Sequence, residues 1–235
     1  MVKTASDSLV IGGIIFSGLD QADFTGPYEV LSRLPGAEFF VIGRDCSPVR
    51  DAKGLILTPD ISFNEAPPLD VVLVPGGSGV NALMEDEVTL DFLRKQAAGA
   101  SLVLSVCTGA LLLGAAGLLK GRRATTHWAS HHLLPWFGAI PVNERVVMDG
   151  NVLTTAGVTS GIDGALRAAA ILRGDHVAQG IQLYMEYDPR PLFASGSPES
   201  APAEVLAEVK AALESVLVER TEVSRRVAVR LGISG

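Results

Sequence analysis

Short unbroken apolar runs alternate along the chain with stretches whose apolar residues recur at helical spacing. The runs at 8–16 (SLVIGGIIF), 37–43 (AEFFVIG), 70–75 (DVVLVP) and 101–106 (SLVLSV) are each closed by Gly, Pro or a polar residue, as strands buried on both faces are. Between them, 26–34 (GPYEVLSRL) and 87–98 (EVTLDFLRKQAA) carry the helical period, and Pro27 suits a first helical turn. This alternation predicts an α/β fold: a doubly wound, mostly parallel sheet with helices on both faces. Further along, 127–137 reads as a short helix, 145–155 as a hairpin turning at Asp149-Gly150, and 161–172 as another helix. A Pro/Ser-rich segment at 188–203 leads into a long amphipathic stretch ending at 231. The expected division is an α/β domain over 1–200 and a helical extension over 201–235 that is not an independent domain.

Composition narrows the function. The chain has 235 residues, 48% of them hydrophobic and 19% charged, enough to bury a substantial core. A net charge of -7 argues against a nucleic acid or an anionic membrane as partner, since both need clustered positive charge, and is compatible with a small neutral substrate. The first residues lack the apolar core and cleavage site of a signal peptide, and no apolar run reaches the ~18 residues of a membrane span. A cytoplasmic protein is expected. The two cysteines, Cys46 and Cys107, read as free thiols, and no Cys/His cluster has zinc spacing, so no metal is expected. Near the end, Arg220, Arg225, Arg226 and Arg230 alternate with glutamates and read as a solvated helix face.

The candidate chemistry lies at 101–119 (SLVLSVCTGALLLGAAGLL). A strand that turns straight into a helix at Cys107 puts that side chain at the carboxyl end of the sheet, where open α/β sheets bind ligands. The following helix N-terminus favours a thiolate and is expected to lower the thiol pKa. Cys107 is therefore either a nucleophile or a small apolar residue filling a strand end. Gly76 and Gly77, in VPGGSGV, offer backbone amides at the same edge, or an ordinary turn. Asp20 and Asp23 follow the first strand; Asp23 is either the proton carrier a thiol mechanism needs or a helix cap. His127 is either the base of a Cys-His pair or a hydrogen-bonded residue at a helix start.

DFTGPYEVL, VPGGSGVNALMED, SVCTGALLLGAAGLLKGRRATTHW and GAIPVNERVVMDGNVLTTAGVTSGID, with the tail GSPESAPAEV, resemble the isocyanide hydratase branch of the ThiJ/PfpI superfamily in order and spacing. The resemblance covers nearly the whole chain. Protease-like relatives have a glutamate near the end of the first strand and a histidine after the cysteine, whereas Asp23 and Thr108 stand at those positions here. Regulatory relatives carry a DNA-binding domain of about 100 residues, for which too little chain follows Pro202. The resemblance implies a flavodoxin-like domain with a nucleophile elbow, acting as a homodimer. It implies hydration of an isocyanide to an N-substituted formamide, with Cys107 as nucleophile and Asp23 as proton carrier, and no cofactor, because water, a thiol and a carboxyl suffice. Thr108, through hydroxyl or amide, and the Gly77 amide would stabilise the intermediate, and Val158 would contact substrate. A glyoxalase or deglycase using the same cysteine, or a redox sensor without turnover, are the alternatives.

Overall fold

Two of the strand-like runs, over 71–74 and 102–105, leave no side for water, and they pair with each other in the middle of the sheet. In the computed structural model, which describes residues 8–233, the sheet has seven strands: β1 (Leu9–Ile14), β2 (Ala37–Gly43), β3 (Ile61–Ser62), β4 (Val71–Val74), β5 (Leu102–Ser105), β6 (Val146–Asp149) and β7 (Val152–Thr155). Their spatial order is β6-β7-β5-β4-β1-β2-β3. Every neighbouring pair is parallel except the β6–β7 hairpin. Strands β4, β5 and β7 are buried at every position, as two covered faces require.

The α-helices longer than about one turn are α1 (Gln21–Leu31), α2 (Glu87–Gly99), α3 (Gly109–Ala115), α4 (Ser160–Arg173), α5 (Asp175–Tyr184) and α6 (Ala203–Arg230). Close approach of helix to sheet is built into β1. A Cβ at Gly13 would lie 2.6 Å from Phe24 of α1, and one at Gly12 would lie 2.5 Å from Leu69 on the opposite face. Counted along the chain, the long parallel strands run 2-1-3-4-5, the flavodoxin-like order. In such a sheet the crevice opens where the winding reverses, between the first strand and the third. Those strands are β1 and β4, and the candidate residues follow their carboxyl ends and that of β5.

Four expectations need correction. The first helix begins at Gln21, five residues before the Gly26-Pro27 start read from the pattern, because Asp20 caps it: Asp20 Oδ1 accepts from the Ala22 N–H at 3.1 Å. Pro27 sits inside this helix. The 127–137 element is a 3₁₀ helix (Trp128–Phe137), ended by Gly138 in the left-handed conformation. The β6–β7 hairpin pairs Asp149 with Val152, so its two loop residues are Gly150 and Asn151, one position later than expected. Helix α5 matches none of the patterns read above.

Candidate active site

Three turns converge at the crevice. Cys107 follows β5 with φ of 55°, left-handed backbone that a non-glycine residue adopts at a cost of about 1–3 kcal/mol. Both of its backbone groups are held: its N–H donates to Ala156 O (2.8 Å), and its C=O accepts from Thr126 Oγ1 (2.7 Å). The helix must then start almost in contact with the neighbouring strand, since a Cβ at Gly109 would fall 2.2 Å from Val74 O. The thiol is thereby fixed at the mouth of the sheet with 7% exposure.

Asp23 comes from the other side of the crevice. It lies in the first turn of α1 and has no exposed surface. One oxygen, Oδ2, accepts the Gly76 N–H at 2.9 Å; Oδ1 has no N–H or O–H donor, and the side chain faces the Cys107 thiol. The cap reading of Asp23 therefore fails, because Asp20 holds that role. Gly76 is confined between the two groups: a Cβ there would lie 2.5 Å from Thr108 N and 2.9 Å from Asp23 Oδ2.

Burial, and after it the negative charge of Asp20, raise the Asp23 pKa from 3.8 to about 7, against the Gly76 N–H and the Cys107 thiol, which favour the charged form. Burial and the Asp23 carboxylate also push the Cys107 thiol well up. The backbone N–H groups of Thr108 and Val158 and the charge of Arg220 oppose this without prevailing. The expected lowering of the thiol pKa is thus reversed. A seven-residue helix end does not outweigh near-complete burial beside a carboxylate. What the geometry provides is a buried acid pair competing for one negative charge.

The remaining candidates fall into place around that pair. Thr108 is buried, and its hydroxyl is engaged by the next loop: Oγ1 accepts the Gly77 N–H (3.0 Å) and donates to Gly77 O (3.2 Å). The Gly77 amide is therefore occupied and does not point at the sulfur. The amides that reach the sulfur are those of Thr108 and Val158. His127 caps the 3₁₀ helix by accepting the Ala129 N–H (3.3 Å) and packs its ring close to Gly157. Burial lowers its pKa, and no hydrogen bond joins it to Cys107, so the helix-start reading holds. Among the described residues no cluster of His, Cys, Asp and Glu has the makings of a metal site.

Arg220 was missed. It is not on a solvated face but 5% exposed, behind the Gly77 loop. Its spacing from Val223 and Val227, both buried on the same helix, was the signal available.

A cysteine in left-handed backbone at the switch point of a flavodoxin-like sheet, with a buried carboxylate opposite, defines a class of cysteine-centred α/β proteins. The chain belongs to the DJ-1/PfpI family, whose model matches residues 11–170. It is 52% identical over 226 residues to an isonitrile hydratase of Pseudomonas putida, covering 96% of this chain and 99% of that one. It is 30% identical to protein DJ-1alpha of Drosophila melanogaster, over 80% of this chain and 88% of that one. Among solved structures, a ThiJ/PfpI family protein from Pseudomonas syringae superposes with a TM-score of 0.90 at 38% identity, covering 93% of this chain and 91% of the other. No helix among the described residues is long and apolar enough to cross a membrane.

Proposed function

We propose that this chain hydrates an isocyanide to an N-substituted formamide, with Cys107 as nucleophile and Asp23 as proton carrier. The observation that carries the reading is the buried Asp23–Cys107 pair, in which a carboxyl with a pKa of about 7 faces a thiol. The near full-length likeness to an isonitrile hydratase supports the choice of substrate.

In the first step Asp23 takes the thiol proton as sulfur bonds to the terminal carbon of R–NC, and passes that proton to the same carbon, giving the thioimidate R–N=CH–S–Cys107. A carboxyl that titrates near the working pH suits both halves of the transfer. Asp23 then takes a proton from water as the water oxygen adds to the carbon, and passes that proton to the nitrogen, giving R–NH–CH(OH)–S–Cys107. Loss of the hydroxyl proton to the departing sulfur, through Asp23, breaks the C–S bond and releases R–NH–CHO with the thiol restored. The Thr108 and Val158 amides hold charge on the sulfur through these steps. Thr108 joins the reaction through its amide, while its hydroxyl and Gly77 fix the loop; Val158 contacts the substrate.

We also infer that α6 is an extension of the 1–200 domain, a reading supported by the burial of Val223, Ser224 and Val227 against the rest of the protein. A cytoplasmic homodimer is part of the proposal. The two free cysteines are consistent with a reducing compartment, and the exposed Val205, Val209 and Val218 of α6 are suited to a subunit contact that sedimentation would detect.

The test is formamide production from an aromatic or alicyclic isocyanide, run beside Cys107→Ala and Asp23→Asn. Product from the native protein and loss in both variants is the expected result. No turnover across several isocyanides would overturn the reading, and turnover of methylglyoxal instead would identify a glyoxalase.

A further inference from the structure

Helix α6 sends one cation inward, beside the nucleophile. The guanidinium of Arg220 donates from all three nitrogens to neutral oxygens: Nε to Asn81 Oδ1 (2.9 Å), Nη1 to Ser130 Oγ (3.0 Å) and Nη2 to Gly77 O (3.2 Å). Glu219 acts on it only through space, since its Oε2 accepts from Asn81 Nδ2 (2.9 Å). An ion taken out of water without a counter-ion is costly, and such sites persist where a charge nearby offsets the cost. Here Gly77 O, which Arg220 holds, is also the acceptor of the Thr108 hydroxyl, and Thr108 is the residue after Cys107.

We propose that Arg220 is a positioning residue for the nucleophile: it supplies the buried positive charge that balances a negative Cys107 sulfur, and it fixes the Gly77 loop that orients Thr108. Arg220 lies beyond the 11–170 segment matched by the family model, so the C-terminal extension completes the site rather than merely covering it. Burial tends to lower the Arg220 pKa, the interactions with Cys107 and Glu219 to raise it, and a guanidinium remains charged throughout. The charged groups facing the thiol are Asp23 from α1 and Arg220 from α6. Glu219 acts on Arg220 from the same helix, and His127, at the start of the 3₁₀ helix, interacts with both Arg220 and Asp20.

The inference rests on Cys107 being the nucleophile, and its test reads the thiol directly rather than isocyanide turnover. In a Cys46→Ser background, the rate of Cys107 alkylation by iodoacetamide is followed from pH 6 to 10 in the otherwise native protein, Arg220→Gln and Arg220→Lys. Loss of an opposite charge beside an ionising group moves its titration by about one pH unit, so Arg220→Gln should alkylate about tenfold more slowly at pH 7. Arg220→Lys, which keeps the charge, should stay within about threefold of native. A folded Arg220→Gln protein with an undisplaced curve would overturn the proposal. If that variant does not fold, Arg220→Lys and Ser130→Ala decide. Both retain the cation, and a tenfold displacement in either would assign Arg220 a packing role only. Failure of the native Cys107 to alkylate anywhere in the range would remove the nucleophile reading, and this proposal with it.

Discussion

The chain contains the same pair of groups twice, a thiol beside a carboxylate, in two settings that treat it oppositely. Cys46 sits on the surface with its sulfur 3.9 Å from Glu65 Oε2, and Glu65 is held below the usual carboxylate range, chiefly by the Ser62 hydroxyl (2.6 Å) and N–H (3.0 Å). Cys107 is buried against Asp23, whose pKa is lifted to about 7 by loss of water. Water solvates the first pair, so its carboxylate stays ionised. The second pair has only protein around it, and a proton must be shared. What separates the two carboxylates is desolvation: burial raises the pKa of Asp23, while hydrogen bonds at the surface lower that of Glu65.

Removing the two sulfurs is the strongest way to break that comparison. Cys107→Ala should reduce formamide formation to less than about one ten-thousandth of the native rate, as loss of a nucleophile typically does. Cys46→Ala should leave the rate within about twofold of native, because Cys46 contributes nothing to the crevice. Single-turnover measurements on both variants check the pair. Equal losses would mean that the exposed thiol takes part.

Asp23→Asn comes next, and it separates activity from stability. Proton transfer by a placed side chain contributes roughly 10²–10⁴-fold, so turnover should fall by that factor. The folded-state pKa of Asp23 is raised from 3.8 to about 7, so the native state binds a proton that the unfolded state has already released between those values. The stabilisation is therefore fully present below about pH 4 and is lost as pH rises towards 7, on the order of 4 kcal/mol across the window. An amide has no such loss and still accepts the Gly76 N–H. Asp23→Asn should consequently match the native protein near pH 4 and exceed it in stability at pH 8, as read by denaturant midpoints. A native protein whose stability does not fall between pH 4 and 7 would contradict the buried-acid account.

Much of this arrangement was readable before any coordinates. The strands were legible because a parallel sheet covered on both faces demands unbroken apolar runs, and 71–74 and 102–105 have them. The corner at Cys107 was legible because a strand and a helix abut there with Gly109 behind. The start of α1 was not, since Gly26-Pro27 imitates a helix start while the cap, Asp20, stands six residues earlier. Arg220 was masked by the glutamates beside it, and only the burial of Val223 and Val227 separates its face from theirs. The direction of the thiol pKa was out of reach as well, because it is the balance of burial and the Asp23 carboxylate, which raise it, against Arg220 of α6 and the Thr108 and Val158 N–H groups, which lower it, and most of these come from distant segments.

Gly76→Ala probes the spacing inside the buried pair without replacing either group. The new methyl would lie 2.5 Å from Thr108 N, 2.6 Å from Thr108 Oγ1 and 2.9 Å from Asp23 Oδ2, so the two sides must separate. A displacement approaching 1 Å costs about 10²-fold in rate, and overpacking a filled site costs about 1–3 kcal/mol. The expected outcome is a drop in kcat with a lowered unfolding midpoint, measured together. Unchanged kcat would mean that the Asp23–Thr108 spacing is not used.

The smallest effect belongs to the surface pair and tests the other half of the comparison. Glu65 has its pKa lowered on folding, so its contribution is present above the unfolded value and is lost as pH falls through the folded one. Glu65→Gln should lower the thermal midpoint at pH 7 by no more than about 2 °C, because exposed interactions are weakened by water, and should change nothing at pH 3. This is the reverse of the Asp23→Asn profile, in which the variant gains at high pH. If differential thermal melts of the two variants moved in the same direction between pH 4 and 8, desolvation would not be what distinguishes the two cysteine–carboxylate pairs, and the assignment of Asp23 as a buried, proton-holding group would fall with it.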